Sequence, residues 1–336
     1  MLRGVGVILI AQRKWKVIMH ARFPALAASV LFLLSCSSAK APPIERDYAL
    51  TRITDHVYVI HGLNENPGKD NQGFSNNPGF VFVRGGVVVI DPGASVQVGE
   101  MVLRKIATVT KDPVIAAFNT HVHGDHWLGN QAIKAAYPKA VIYAHPKMIE
   151  SLKSGEGDNW VRMINDATQG ASRGTKAVVP DMGLDHGESL KLHGTTFRLY
   201  HNDRAHTDND IMIEVLEEGV FFLGDVVRNK SIAANFPEHG NIQGQFAAID
   251  MALKSGAKYF IPGHGLSGGR EIAVTQQSFL KDLRAAVKKY YDQGLSDFEM
   301  KDKVVRDLSA YRDYYGFDGL GRVINAAYLQ IEAESF

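Results

Sequence analysis

The sequence predicts an α/β protein, and three observations support that class. Two valine-rich runs, 80–83 and 87–90, flank Gly85 and Gly86, which is a strong hairpin signal. Helix and strand patterns then alternate from residue 96 to residue 143. A second series of strands follows, and helical stretches close the chain from about residue 270. With 336 residues, 45% of them hydrophobic, the chain can bury one large core or two modest ones.

The predicted elements follow each other in a regular order. A strand with alternating residues covers 53–60, ahead of the hairpin. A helix at 96–109 leads to a strand at 114–118, a helix at about 128–137 and a strand at 140–143. The remaining predictions are strands at 188–193, 196–200, 211–216, 220–223 and 259–261, and helices near 245–254, 270–292, 296–308 and 319–334. The sequence shows no repeat of solenoid length.

The first 36 residues have the pattern of a bacterial secretory signal. Basic residues precede an apolar segment that starts at Phe23 and is too short for a spanning helix of about 20 residues. The segment ends in Leu33-Leu-Ser-Cys36, which resembles a lipoprotein processing box and predicts lipidation of Cys36. Ordinary secretion and an uncleaved anchor remain alternatives, and Met19 is an alternative start. We expect an exported, periplasmic protein held at the outer membrane, with 37–47 as a linker and 48–336 as the folded domain.

Composition argues against nucleic acid as a partner. The formal net charge is +1, and the charged residues are spread along the chain rather than gathered in a basic stripe. We therefore expect a small-molecule substrate, with membrane contact only through the N-terminal anchor or signal. The oligomeric state is not predictable from these features.

The most informative stretch contains three imidazoles and a carboxylate within six residues, His121-Val-His-Gly-Asp-His126. It follows an apolar run directly. Because alternate side chains of an extended backbone share a face, His121 and His123 can bind one ion while Asp125 and His126 turn toward a neighbouring position. The pattern favours two metals over one.

Three more candidate ligands follow apolar strands: His206, Asp225 and His264. Each has an ordinary explanation by itself, since a single histidine at a strand end is usually a surface residue and Gly-Asp is usually a turn or a helix cap. Loops that project from strand ends can nevertheless converge on one edge of a sheet. Their order behind the histidine cluster favours a shared site.

Together these motifs resemble the metallo-β-lactamase-fold hydrolase superfamily, over about residues 48–265. The resemblance implies a four-layer αββα sandwich of two mixed sheets with outer helices. It assigns His121, His123 and His206 to a first metal, Asp125, His126 and His264 to a second, and Asp225 to a bridge between them. Asp91 would orient a ligand histidine by accepting its remaining N–H. The segment 119–130 and the tail 311–334 are also similar to periplasmic hydrolases associated with sulfur oxidation and quinoprotein relay systems.

The resemblance implies hydrolysis by a water that two metal ions share. Two divalent ions lower the pKa of that water, so hydroxide becomes available to attack a carbonyl or phosphoryl centre. Asp125 would orient the hydroxide and accept its proton, as the catalytic residue. Zinc suits histidine and carboxylate ligands, and iron or manganese also fits. We expect an ester, thioester or lactone-like substrate.

Three other functions stay open at this point. A β-lactamase is one, although a thiolate ligand is excluded because Cys36 is the only cysteine, and Asp225 favours the general hydrolase branch. A mononuclear-iron persulfide dioxygenase shares much of the pattern. A periplasmic accessory that binds metal without turnover is the third.

Several segments permit two interpretations. Residues 64–78 and 155–174 are each a flap over the metals or a plain connection. Four residues can line a pocket or can have ordinary core-packing or loop roles: Trp127, Phe236, His239 and Asn241. Tyr143, His145 and His201 lie near motifs but receive no role.

Overall fold

The structure is a computed structural model that describes residues 39–232 and 240–335. The chain divides into two compact units, 1–37 and 38–336, and every described residue belongs to the second. The predicted signal with Cys36, and also Phe236 and His239, lie outside the described residues. Within those ranges, the helices are too short or too polar to cross a membrane.

A seven-stranded sheet forms the first half of the domain. Its strands are adjacent in chain order: β1 (Leu50–Arg52), β2 (Val57–Ile60), β3 (Gly79–Val83), β4 (Gly86–Ile90), β5 (Val114–Phe118), β6 (Val141–Ala144) and β7 (Met182–Gly183). The first four pair antiparallel, and β4 to β7 pair parallel. The predicted hairpin is confirmed, with Val83 opposite Gly86 and Gly85 at a positive φ of 72° in the two-residue turn.

A five-stranded sheet forms the second half. It contains β8 (Ser189–Leu192), β9 (Thr195–Tyr200), β10 (Met212–Val215), β11 (Val220–Phe222) and β12 (Tyr259–Ile261), which lie in the order β12-β11-β10-β9-β8. Only β11 and β12 are parallel to each other among these neighbours. Both sheets are therefore mixed, as the resemblance implied.

The two sheets pack face to face through alternate residues of their strands. Val88 and Ile90 of β4 belong to the core between the sheets, together with Phe197 and Phe222. Val87 and Val89 point the other way and enter a separate core under the helices. Because both faces of β4 are covered, all five of its residues are buried, and its sequence is a continuous apolar run rather than an alternating one.

Helices cover the outer face of each sheet and complete the four layers. The first sheet carries α1 (Val96–Ala107), α2 (Gly124–Trp127), α3 (Asn130–Ala136), α4 (Pro146–Ser151) and α5 (Gly157–Ala167). The second carries α6 (Ile242–Lys254), α7 (Arg270–Tyr291), α8 (Asp297–Asp307) and α9 (Leu320–Glu334). The αββα sandwich is confirmed.

Some local predictions were wrong. Of the strand predicted at 53–60, only Val57–Ile60 is strand, as β2, because residues 53–56 turn between it and β1, which precedes the predicted range. The helices α4 and α5 were not predicted, since Gly155 and Gly157 interrupt the helical pattern; Gly155 adopts a φ of 107° at the kink between them. The region 155–174 is thus mostly helix rather than a flap.

Residues 39–47 have no helix or strand, as expected of a linker, but they pack on the domain. The Arg173 Nε donates to the carbonyl of Ala39 at 2.7 Å, and the Ala41 amide donates to the carbonyl of Arg173 at 2.8 Å. Ala41 and Ile44 are buried. The segment therefore differs from a free tether, because its two apolar side chains are buried against the folded domain.

Candidate metal centre

The seven predicted ligands come together at one edge of the sandwich, where strands of both sheets end. Residues 121–126 follow β5, His206 lies in the loop from β9 to β10, Asp225 follows β11, and His264 follows β12. Since β5 belongs to the first sheet and the others to the second, the site spans both sheets. The sheets fix the separation of the loops.

The first group contains His121, His123, His206 and Asp225, all of them buried. The His206 Nε2 lies 2.9 Å from the His123 Nδ1 and 3.5 Å from the Asp225 Oδ2. One ligand atom from each of the four side chains lies within 4.8 Å of the others. The group has the donor set of a three-histidine site with a carboxylate.

The second group contains Asp125, His126 and His264. The His264 Nε2 lies 3.3 Å from the His126 Nε2 and 3.2 Å from the Asp125 Oδ2. The other carboxylate oxygen of Asp225, Oδ1, lies 3.2 Å from the His126 Nε2 and 3.4 Å from the His264 Nε2. Asp225 therefore directs one oxygen toward each group.

Glycine permits the close approach at the back of the site. A Cβ on Gly263 would lie 1.9 Å from the Asp225 Oδ1, so no larger residue fits between the two loops without displacing the carboxylate. The Gly263 amide donates to the carbonyl of Gly224 at 2.8 Å, which holds the β11 and β12 loops together.

Asp91 supports the histidines through a buried network. Its Oδ2 accepts from the His126 Nδ1 at 2.8 Å and from the Thr120 hydroxyl at 2.6 Å. The Thr120 hydroxyl in turn accepts from the His121 Nδ1 at 3.0 Å. The His264 Nδ1 donates to the carbonyl of Ser75 at 3.0 Å. Each of the three rings thus uses Nδ1 for support and keeps the lone pair of Nε2 for the site.

These donors fit metal ions. Two donors on one tetrahedral zinc, each about 2.0–2.1 Å from the ion, lie roughly 3.3 Å apart. The distances within the second group match this value, and they place the Nε2 atoms of His126 and His264 at a separation suited to one shared ion. Among the described residues, the buried His121 Nε2 has no hydrogen-bond partner. A cation explains both features, because it would displace the proton of His126 and give the clustered Nε2 atoms a common partner.

Burial and charge shape the protonation of the site. Burial lowers the pKa of His206 to about 4 and lowers the pKa of His121 well below its usual value. Burial also acts to lower the pKa of His126, but nearby carboxylates, first Asp225 and then Asp125, raise it well above 6.5. Burial acts to raise the pKa of Asp225, yet His264 and Arg228 hold it well below its usual value. Metal binding would therefore release a proton from His126.

Comparison with known proteins agrees with this geometry. The sequence profile described as Metallo-beta-lactamase superfamily matches residues 72–264, which is more than half of the chain. The chain belongs to the metallo-β-lactamase superfamily. The match includes all seven clustered residues and Asp91.

Individual superfamily relatives are distant. A hydroxyacylglutathione hydrolase of Francisella tularensis is 24% identical over 185 residues, 55% of this chain and 58% of the relative. The type 2 metallo-β-lactamase of Bacteroides fragilis is 21% identical over 73% of this chain and 90% of its own. Among solved structures, a metallo-β-lactamase from Pontibacter korlensis has a TM-score of 0.56 at 19% identity, covering 70% of this chain and all of its own. The sec-alkylsulfatase Pisa1 from Pseudomonas has a TM-score of 0.63 at 16% identity, covering 84% of this chain and 50% of its own.

Arg228 is a site residue that the sequence analysis missed. Its Nη1 donates to the Asp225 Oδ2 at 2.7 Å, and the Arg228 side chain is only 13% exposed. The residue lies three positions after Asp225, a spacing that a tight turn after β11 brings within reach. This spacing was the available signal.

A cavity of about 660 Å³ opens in front of the ligands. Its wall includes Trp160 and Met163 of α5, and Arg228 beside the centre. The C-terminal part of the chain supplies Tyr315 and Arg322. No local pattern indicates these last two residues, because Arg322 reaches the site through the packing of α9 and Tyr315 through backbone hydrogen bonds with Lys230 and Ile232.

The other candidate residues have structural roles. Trp127 is fully buried, and its Nε1 donates to the carbonyl of Val122 at 2.8 Å. Asn241 caps α6 by accepting from the Gly244 amide. Within 64–78, residues 73–77 are buried and pack beneath the His264 loop, whereas Glu65, Asn66 and Pro67 line the cavity in front of the ligands. Tyr143 is buried and stacks on Phe118.

Proposed function

We propose that this protein is a hydrolase with two divalent metal ions, zinc by default. The first ion would be held by His121, His123 and His206. The second would be held by Asp125, His126 and His264. Asp225 would bind both ions. The observation that carries the proposal is the position of Asp225, whose two oxygens lie 3.2–3.5 Å from histidine nitrogens of separate groups. Iron or manganese would suit the same donors.

The bound ions would supply a water of lowered pKa and polarise the bond to be cleaved. The residues around them would prepare the reaction. Asp125 lines the cavity and is partly exposed, so its carboxylate would accept the proton of the attacking water. Asp91 would fix the ring of His126 through Nδ1.

The cavity supports a small substrate with a scissile carbonyl. Its volume of about 660 Å³ lies within the range of small-molecule sites. The hydroxyacylglutathione hydrolases are named for a thioester substrate, and their similarity supports an ester, thioester or lactone-like substrate here. The chain spans somewhat more than half the length of the first such relative.

A sulfate ester is a second candidate, because the cavity wall holds two guanidinium groups. Arg228 lies beside the centre and Arg322 at the exposed end of the cavity. Guanidinium groups bind oxyanions in a two-pronged geometry. The similarity in fold to a sec-alkylsulfatase agrees with this candidate.

Metal analysis and a substrate panel test the proposal. Purified protein should contain two ions per chain and hydrolyse at least one of a thioester, a lactone, an alkyl sulfate and a phosphodiester. Asp225→Ala should lose one ion and reduce kcat/KM by more than about 100-fold while the circular dichroism stays unchanged. The matched control Asp208→Asn lies on the exposed part of the loop before β10 and should keep both ions and the wild-type activity.

Other outcomes identify the alternatives. Hydrolysis of a chromogenic cephalosporin alone would indicate a β-lactamase. One iron per chain with oxygen uptake on glutathione persulfide would indicate a dioxygenase. Two tightly bound ions with no turnover on any substrate would indicate a metal-binding accessory, and wild-type turnover by Asp225→Ala would remove the bridge from the proposal.

We also propose export and lipid anchoring at Cys36. The supporting observation is the basic, apolar and Leu-x-Ser-Cys order of residues 1–36. In a bacterial host, the protein should fractionate with membranes and release only into detergent, whereas Cys36→Ser should appear in the soluble periplasmic fraction. Equal fractionation of the two would contradict lipidation.

A further inference from the structure

A second group of metal-binding side chains lies outside the seven-residue centre. His145 follows β6 directly, Asp185 lies two residues after β7, and His201 follows β9 directly. We call these three residues the His145 cluster. The cluster joins the two sheets just as the main centre does, but it shares none of that centre's residues.

The cluster brings three donors close together. The imidazole rings of His145 and His201 stack with their centroids 3.9 Å apart, and the His145 Nε2 lies 3.3 Å from the Asp185 Oδ1. One ligand atom from each residue lies within 4.8 Å of the other two. The 3.3 Å distance equals the separation of roughly 3.3 Å that two ligands of one tetrahedral zinc adopt.

The two histidines are buried, and the carboxylate is exposed. The side chains of His145 and His201 are only 4% and 7% exposed, whereas that of Asp185 is 62% exposed. The Asp203 Oδ1 lies 4.0 Å from the His201 Nε2, so a second carboxylate is available at the rim. Two buried imidazoles and an exposed carboxylate leave room for water as a further ligand.

The hydrogen bonds of His201 favour metal binding. The His201 Nδ1 donates to the carbonyl of Asp210 at 2.7 Å, which leaves the lone pair on Nε2 facing the cluster. A backbone carbonyl on the far nitrogen is the support that metal-binding histidines usually have.

His145 needs two changes. Its ring lies nearly parallel to that of His201, at an interplanar angle of 22°, and since the lone pair of an imidazole lies in the ring plane, the His145 ring has to tilt before both Nε2 atoms can point at one ion. Its Nδ1 accepts from the Lys147 amide at 3.3 Å, so an ion at Nε2 requires that contact to be given up and Nδ1 to be protonated. The contact is long, and Lys147 is exposed in the first turn of α4, where water can replace it. A long hydrogen bond of this kind contributes little to stability. The site should therefore form, but it should bind more weakly than the main centre.

We propose that His145, Asp185 and His201 bind one additional divalent transition-metal ion, of the class that prefers imidazole and carboxylate ligands, such as zinc. Two nitrogens and one oxygen in this arrangement suit zinc, copper or nickel rather than calcium or magnesium. The loop 201–211 connects the cluster to the main centre, because it carries both His201 and His206.

Zinc titration of the full chain tests the proposal. The protein is dialysed against buffers of increasing free zinc, and the bound ions are counted by mass spectrometry of the metal. The wild type should take up one ion more at high free zinc than Asp185→Asn or His201→Gln. The exposed Asp185 makes the first variant a mild change, and the control His193→Gln removes a surface histidine outside the cluster and should bind like the wild type.

The measurement is independent of catalysis. The one-ion difference should persist when each variant is combined with Asp225→Ala, so loss of the main centre does not affect the result. Equal zinc content in the wild type and Asp185→Asn, at every free zinc concentration, would overturn the proposal and leave the His145 cluster as a hydrogen-bonded stack. A loss equally large in His193→Gln would overturn it as well, because it would show unspecific surface binding.

Discussion

Asp91 shows how one residue prepares several ligands at once. It accepts from His126 directly and from His121 through Thr120, and its backbone has a φ of 50°. Aspartate and asparagine tolerate this left-handed conformation better than other side chains that carry a Cβ. Asp91 directly follows the last residue of β4, so the same residue makes the turn after the strand and supplies the supporting carboxylate.

Asp91→Asn should weaken metal binding by about 10–100-fold without disturbing the fold. Asparagine keeps the shape and suits the φ of 50°, but it lacks the negative charge that orients the His126 ring. Competition with a chromogenic chelator measures the affinity. The exposed Asp112→Asn serves as the control, and an unchanged affinity in Asp91→Asn would show that the carboxylate does not support the ligands.

At the scale of elements, the site depends on helices that press the ligand loops into place. In the first turn of α6, a Cβ on Gly244 would lie 1.6 Å from the backbone carbonyl of Arg204. Arg204 precedes His206 in the same loop. The helix therefore sets the position of a first-site ligand through a backbone contact that only glycine permits.

Gly244→Ala should displace the loop and reduce metal affinity at the first site by at least about 10-fold, because the carbonyl of Arg204 has to move. Cobalt substitution followed by absorption spectroscopy would report the altered three-histidine site. Gly256→Ala, just beyond the same helix, meets nothing within 4 Å and should bind cobalt normally. A normal cobalt spectrum in Gly244→Ala would show that the loop is not held by α6.

At the scale of the whole molecule, three separate cores hold the layers together. One lies between the sheets, one under α1, α3 and α5, and one between the second sheet and α6 to α9. The third core includes the fully buried Leu283 of α7. The C-terminal helices are thus part of the domain, and they also bring Arg322 to the cavity.

Leu283→Ala should reduce the free energy of unfolding by about 2–5 kcal/mol and lower Tm by roughly 3–8 °C, because it leaves a cavity in the third core. Metal content at 20–25 °C should stay the same. Calorimetry measures the shift. Val274→Ala, at a side chain that is 46% exposed on the same helix, should change Tm by little, and an equal shift in both variants would contradict the assigned packing.

Removal of the ions should destabilise the whole domain. Ions that bind only the folded state, at 100 to 1,000 times their Kd, stabilise it by about 3–4 kcal/mol per site. Chelation should therefore lower the Tm of the wild type, and restored zinc should raise it again. Asp225→Ala should show a smaller response to chelator, and equal responses would argue against Asp225 as a shared ligand.

The sequence by itself determined most of the elements outside α4 and α5, the hairpin at Gly85-Gly86, and the family, because these depend on periodicity, turn residues and motif spacing within short stretches. His121 to His126 are adjacent in the chain, so their local chemistry was visible directly. Tertiary structure decided what is near in space but distant in sequence. Arg322 joins the cavity only through the packing of α9, and residues 39–47 dock only because a surface exists to bury Ala41 and Ile44. The stacking of His145 on His201, 56 positions apart, depends on how the two sheets align at their edge, and no local pattern encodes that alignment.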